Sequence, residues 1–283
     1  STTIYLIIDR YDFQSLFLYI KYYKDMSTKL FGSIIFGPVH SRRLGISLGV
    51  NLLPIDGKVC SFDCIYCECG YNSQGKGHGL PTAEQVYKSL DNKLSEMFHN
   101  KEELDVITFA GNGEPTLHPQ FLDIINNTLL LRNKWFPKAK VSVLSNATCI
   151  DKVSVFDALN KVDNNILKLD SVIPETIALL NVPNNKNFTV DKLINNLKKF
   201  NGNLIIQTLF VRGIHNGHII DNTTEKEVEG WIKAIQEIKP RQIMIYAIDR
   251  ETPEKNLEKL SKDELQEIAD KVRILGYNVT VSV

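Results

Sequence analysis

The chain has 283 residues, 43% of them apolar, with 33 basic and 33 acidic side chains and a formal net charge of zero. That size and apolar content suit one α/β domain with a sizeable core, and the charge balance excludes a broad electrostatic footprint for nucleic acid or acidic membranes. No run of 18 uncharged apolar residues is present, so no spanning helix is expected.

Residues 1–25 contain five tyrosines and neither glycine nor proline. Phe13, Leu16, Phe17, Ile20 and Tyr23 follow helical spacing, which predicts an amphipathic helix there, packed on the domain's flank or dispensable. Met26 reads as a second translation start. The segment IYLII at 4–8 has no basic start and is too short for a signal peptide, so a cytoplasmic protein is expected. We read residues 1–33 as an N-terminal extension and 34–283 as the core domain.

From residue 34, strand-like and helix-like segments alternate. Strands are predicted at Ile46–Leu52, Val106–Ala110, Lys140–Leu144, Ile166–Leu169, Leu204–Phe210 and Gln242–Ile248, each short and rich in apolar or β-branched residues. Between them, helices are predicted at Ala83–His99, Gln120–Leu131, Ser154–Leu159, Val190–Phe200 and Thr224–Ile238, with Lys262–Leu275 after the last strand. Thr82, Thr189 and Ser261 are predicted N-caps. Six βα units with short links predict one parallel sheet, an α/β fold curled into a partial (β/α)6 TIM-like barrel in a single domain. Asn278–Val283 is expected to add a last edge strand.

Four of the five cysteines, Cys60, Cys64, Cys67 and Cys69, fall within ten residues in VCSFDCIYCECG. Such clustering points to a metal site in a reducing compartment rather than to disulfides. The first three have the spacing C-x3-C-x2-C in a loop after the first strand, and thiolates are the usual ligands of iron–sulfur clusters. Three ligands on a four-iron cluster leave one iron open to a small chelating molecule. A zinc site on all four cysteines is the alternative, but one short loop wraps a tetrahedron poorly and no second knuckle follows. Cys69 is expected to point away from the others as a non-ligand.

This spacing, with Tyr66 before the third cysteine, resembles the radical S-adenosylmethionine superfamily over roughly residues 34–250. GPVHSRRLGISLGVNLLP, CSFDCIYC and TFAGNGEPTLHP resemble the group that includes the tRNA-wybutosine synthesising enzymes and uncharacterised relatives. The resemblance implies a 4Fe–4S cluster on Cys60, Cys64 and Cys67, S-adenosylmethionine as co-substrate, and a flavodoxin or ferredoxin as reductant. It implies that Gly111, Asn112, Gly113 and Glu114 form a turn near the methionine amino group, and that Ser145 and Asn146 contact the ribose. Taken alone, the first would be a connecting turn and the second a helix cap.

Further polar residues end the predicted strands. Lys168 and Asp170 share a face, Gln207 and Arg212 follow on the next strand, and Arg250 ends IYAIDR. In a barrel all of these would line the lumen near the co-substrate, with Asp170 and Gln207 as candidate contacts to it. Arg42 and Arg43 are candidates for bidentate recognition of an anion, and His118 reads as structural. The implied activity is reductive cleavage of S-adenosylmethionine and hydrogen abstraction from a small molecule or nucleoside. The alternative is an activase or modifying enzyme that abstracts hydrogen from a partner protein or peptide. The second cysteine set of the wybutosine enzymes is missing from this chain.

Overall fold

The structure, a computed structural model, describes residues 30–41, 43–72 and 79–283. The stretch at 1–25, Met26 and Arg42 lie outside the described residues. Apolar runs build an eight-stranded sheet. In spatial order it holds β1 (Ile35–Ser41), β2 (Gly45–Val50), β3 (Val106–Phe109), β4 (Lys140–Ser145), β5 (Asn164–Lys168), β6 (Ile205–Leu209), β9 (Gln242–Tyr246) and β11 (Val279–Ser282). β3 and β6 are buried along their whole length, as strands covered on both faces should be. From β2 to β11 all pairings are parallel.

Each central strand is followed by a helix that returns the chain. The helices are α1 (Ala83–His99), α2 (Phe121–Trp135), α3 (Val153–Lys161), α4 (Pro174–Leu180), α5 (Val190–Lys198), α6 (Glu225–Ile238) and α7 (Lys262–Arg273). Thr82 and Ser261 start α1 and α7 with reciprocal capping boxes, and Thr189 caps α5. The six expected βα units are present, so the partial (β/α)6 barrel read from the sequence is the fold. No helix among the described residues is long and apolar enough to cross a membrane.

Two features depart from the expected pattern. β1 pairs antiparallel with β2 and covers the sheet's first edge. A separate antiparallel sheet is formed by β10 (Leu257–Lys259), β7 (Val211–His215) and β8 (His218–Asp221). It carries Arg212 away from the lumen: its guanidinium pairs with Glu264 of α7 at 2.7 Å. The expectation that Arg212 lines the barrel is therefore corrected, because from Val211 the chain leaves the barrel sheet and pairs with β8 and β10.

Side chains alternate across the curled sheet. Outward residues join the main core against the helices; Trp231 of α6 packs edge-on against Phe210 and donates to Thr208 Oγ1 at 3.0 Å. Inward, Ile166, Ile205 and Met244 form a small apolar cluster with Leu44 and Leu144. Two residues further along the same strands stand Lys168, Gln207 and Tyr246. This change from apolar to polar places a cavity at the carboxyl ends of the strands.

Candidate active site

The cavity has a volume of about 320 Å³, at the lower end of ordinary small-ligand sites. Cys60, Cys64, Cys67 and Cys69 all line it, on one side. All four are free thiols, with Cys64 buried and the others half-buried.

The loop that carries them is docked onto the GNGE turn after β3. Val59 N–H donates to Asn112 O at 2.9 Å, and Glu114 N–H donates to Val59 O at 3.1 Å. The turn must be glycine here: a Cβ on Gly113, at φ +133°, would meet Val59 O at 1.8 Å, and one on Gly111, at φ +145°, would meet Asn51 Oδ1 at 2.5 Å. At Gly113 the close approach is made by the backbone of the cysteine loop, and at Gly111 by the Asn51 side chain.

Two cysteine sulfurs receive amide donors. Asn146 Nδ2 lies 3.4 Å from Cys60 Sγ, and Asn181 Nδ2 lies 3.4 Å from Cys64 Sγ. Cys69 does not point away as expected; it lines the same cavity and donates to Gly111 O at 3.2 Å. Burial pushes the Cys64 thiol up to about 11, with the Cys67 charge adding to it. The Cys69 hydrogen bond and then the Lys58 charge hold Cys67 below the usual thiol range despite its burial. Lys58 is buried, with its Nζ on Gly70 O at 2.9 Å and Asp63 at 3.3 Å. Burial alone would lower its pKa, but Cys67, Cys60, Cys64 and Asp63 together raise it.

No three acidic, cysteine or histidine side chains among the described residues are grouped to hold a single metal ion. An iron–sulfur cluster makes a different demand, since each thiolate binds its own iron. The donor set fits such a cluster: three free thiols border one cavity, amides face two of the sulfurs, and the Lys58 cation stands behind them.

Glu114 is 2% exposed. Its Oε1 accepts from Thr116 N–H at 3.1 Å, Thr116 Oγ1, and Ser145 Oγ at 2.8 Å, and its Oε2 accepts from Asn146 N–H at 2.7 Å. Burial still raises its pKa. The structure thus brings Gly111, Gly113, Glu114, Ser145 and Asn146 together at the cavity, tied largely to one another. Ser145 Oγ serves Glu114, and Asn146 serves the cysteine loop through Ser61 and Cys60.

Asn112 and Asp170 do not line the cavity. Asn112 is fully buried and bonds Phe31 and Pro54 backbone, because its side chain stitches two loops together. Asp170 is 3% exposed. It accepts from Leu209 N–H at 2.9 Å, Asn181 Nδ2 at 2.8 Å and the Tyr66 hydroxyl, and it pairs with Lys168 at 3.4 Å. Gln207 is buried and does line the cavity. His118 accepts from Gln120 N–H on Nδ1 and bonds Pro81 O through Nε2 at 2.7 Å. Arg250 lines the rim, paired with Glu68 at 3.0 Å.

Sequence reading missed Lys58, Asn181 and Tyr246. Tyr246 had a signal, as the next inward residue after Met244. Asn181 follows α4, a short helix absent from the expected pattern.

No family model matches the chain. A Helicobacter pylori protein named UPF0026 protein is 30% identical over 239 residues, covering 82% of this chain and 71% of that protein. A Brachyspira hyodysenteriae protein named GTPase Obg is 30% identical over 246 residues, 84% of this chain but 33% of that protein. The chain thus spans a third of that relative's length, and it contains no G-x-x-x-x-G-K-[ST] phosphate loop. Among solved structures, Streptococcus suis SuiB bound to S-adenosylmethionine aligns with a TM-score of 0.57 at 15% identity, covering 82% of this chain and 50% of that one. TYW1 with a lysine–pyruvate adduct aligns with a TM-score of 0.57 at 17% identity, covering 82% of this chain and 74% of that one. These likenesses show the fold, and at that level the resemblance read from the cysteine motif holds.

Proposed function

The chain belongs to the UPF0026 family, and from that footing we propose that it is a radical S-adenosylmethionine enzyme. The observation that carries the reading is the union of two motifs, fifty residues apart in sequence, in one wall. Cys60, Cys64 and Cys67 and, from the turn after β3, Gly111, Gly113 and Glu114 line the same cavity at the carboxyl ends of parallel strands, where ligands of such sheets bind.

Cys60, Cys64 and Cys67 would hold a 4Fe–4S cluster and leave one iron for the amino and carboxylate groups of S-adenosylmethionine. Reduced by a flavodoxin or ferredoxin, such a group would supply the electron for reductive cleavage of S-adenosylmethionine and so for hydrogen abstraction from the substrate. The chain's own residues do the positioning. Glu114 fixes β4 to the turn and keeps one Oε2 lone pair for an amine. Asn146 and Asn181 direct N–H groups at sulfur, and Lys58 balances thiolate charge. The apolar cluster below excludes water from a species that would attack most C–H bonds. Substrates are a small molecule or nucleoside.

Anaerobic reconstitution followed by iron and sulfide assay tests the reading. About four of each per chain are expected; a single zinc would overturn it.

A further inference from the structure

One corner of the cavity carries polar groups to which the proposed cluster and co-substrate chemistry assigns no role. Arg43 lies in the turn between β1 and β2, beside the Leu44 that caps the apolar base of the lumen. Its guanidinium reaches into the cavity and sits over the Tyr246 ring, with Cζ 4.7 Å from the centroid. Its Nη1 is fully buried and has no hydrogen-bond partner. Among the described residues Arg43 faces no carboxylate, whereas the other cavity cations do: Lys58 has Asp63, Arg250 has Glu68 and Lys168 has Asp170.

Lys168 completes the same corner. Its Nζ donates to Tyr246 Oη at 2.6 Å and lies 4.9 Å from that ring's centroid, so one tyrosine is bracketed by two cations. Gln207 is Lys168's register partner on β6 and also lines the cavity. A buried donor without an acceptor is costly, and an anion entering beside Arg43 supplies that acceptor.

We propose that Arg43, with Lys168 and Gln207 beside it, is the subsite for an oxyanion of the substrate, a carboxylate or a phosphate. The planar fork of Arg43 suits two oxygens of one group, and its cation–π contact with Tyr246 holds the guanidinium over that ring. The substrate class is then an anionic small molecule or nucleotide, held by its charged end at the base of the cavity so that a C–H bond faces the cysteine wall. This substrate assignment rests on the radical S-adenosylmethionine reading; the anion site itself does not.

Equilibrium dialysis of radiolabelled phosphate, and separately of radiolabelled acetate, against the reconstituted full chain tests it, with and without saturating S-adenosylmethionine. The anion that binds more tightly identifies the group. Arg43→Gln should weaken that binding about tenfold or more, as loss of a charged hydrogen bond would, and Arg43→Lys should restore part of it. Arg212→Gln, outside the barrel, should leave it unchanged. Anion binding that is equal in wild type and Arg43→Gln overturns the proposal. So does displacement of the anion by S-adenosylmethionine, which would assign Arg43 to the co-substrate carboxylate, and so does binding of neither anion. A chain that binds the anion but no iron retains the subsite and loses the proposed chemistry instead.

Discussion

The two walls of the cavity are both polar but differ in charge and in how their polar atoms are used. On the wall of β3 and β4, Glu114, Ser145 and Asn146 direct most of their polar atoms at one another and at the cysteine loop. On the wall of β5, β6 and β9, Arg43 keeps a buried donor unmatched and Lys168 and Arg43 flank one ring. A closed network holds a shape, while an open one waits for a partner. The first wall therefore reads as the mount for a resident group and the second as the face for the molecule that comes and goes.

The largest effect that could break this contrast is at the cysteines. Cys64→Ala should abolish cluster binding, read as loss of iron and of the visible absorption band. Cys69→Ala should retain iron, because that sulfur already serves Gly111 O; loss of iron there would make Cys69 a ligand.

Gly113→Ala should be nearly as severe. The added Cβ meets Val59 O at 1.8 Å in a left-handed conformation, so the cysteine loop must lift, at a cost of about 3 kcal/mol or more in urea unfolding. A near-neutral result would mean that the turn does not carry the loop.

Glu114→Ala should cost about 3 kcal/mol, since it strands the donors of Thr116, Ser145 and Asn146 in a buried site. Glu114→Gln, which keeps one acceptor, should cost less. Equal stability of all three proteins would show the wall to be less closed than its geometry implies.

The smallest effect lies outside both walls. Glu264 is held down to about 2, first by the Ser261 backbone and side chain and then by Arg212. A depressed carboxylate stabilises above its ordinary pKa and loses that advantage as pH falls toward the folded value. The melting-temperature difference between wild type and Glu264→Gln should therefore shrink between about pH 4.5 and about pH 2. A difference that holds across that range would deny the pairing.

The parallel barrel was legible because its strands are short apolar runs and its helices carry caps such as Thr82 and Ser261. The antiparallel pieces were not. β7, β8 and β10 alternate no more clearly than loops; the Asn216–Gly217 turn that joins β7 to β8 was a local hairpin signal passed over, and only the pairing of β10 with β7 depends on contacts far apart in sequence. At the site, residue types revealed which side chains meet but not what they do there. Ser145 and Asn146 line the cavity and also serve Glu114 and the cysteine loop, and Gly111 and Gly113 line it while Asn51 and Val59 crowd them; these second, structural duties were not legible. Such roles depend on which distant segment packs opposite, which spacing does not encode.

The central claim is that three thiols mount a cluster able to cleave a sulfonium nucleotide. Dithionite reduction of the anaerobically reconstituted protein with S-adenosylmethionine, followed by chromatography, tests it most directly. Formation of 5′-deoxyadenosine that disappears in Cys64→Ala is the predicted result. Iron-replete, reduced protein that leaves S-adenosylmethionine intact would contradict it.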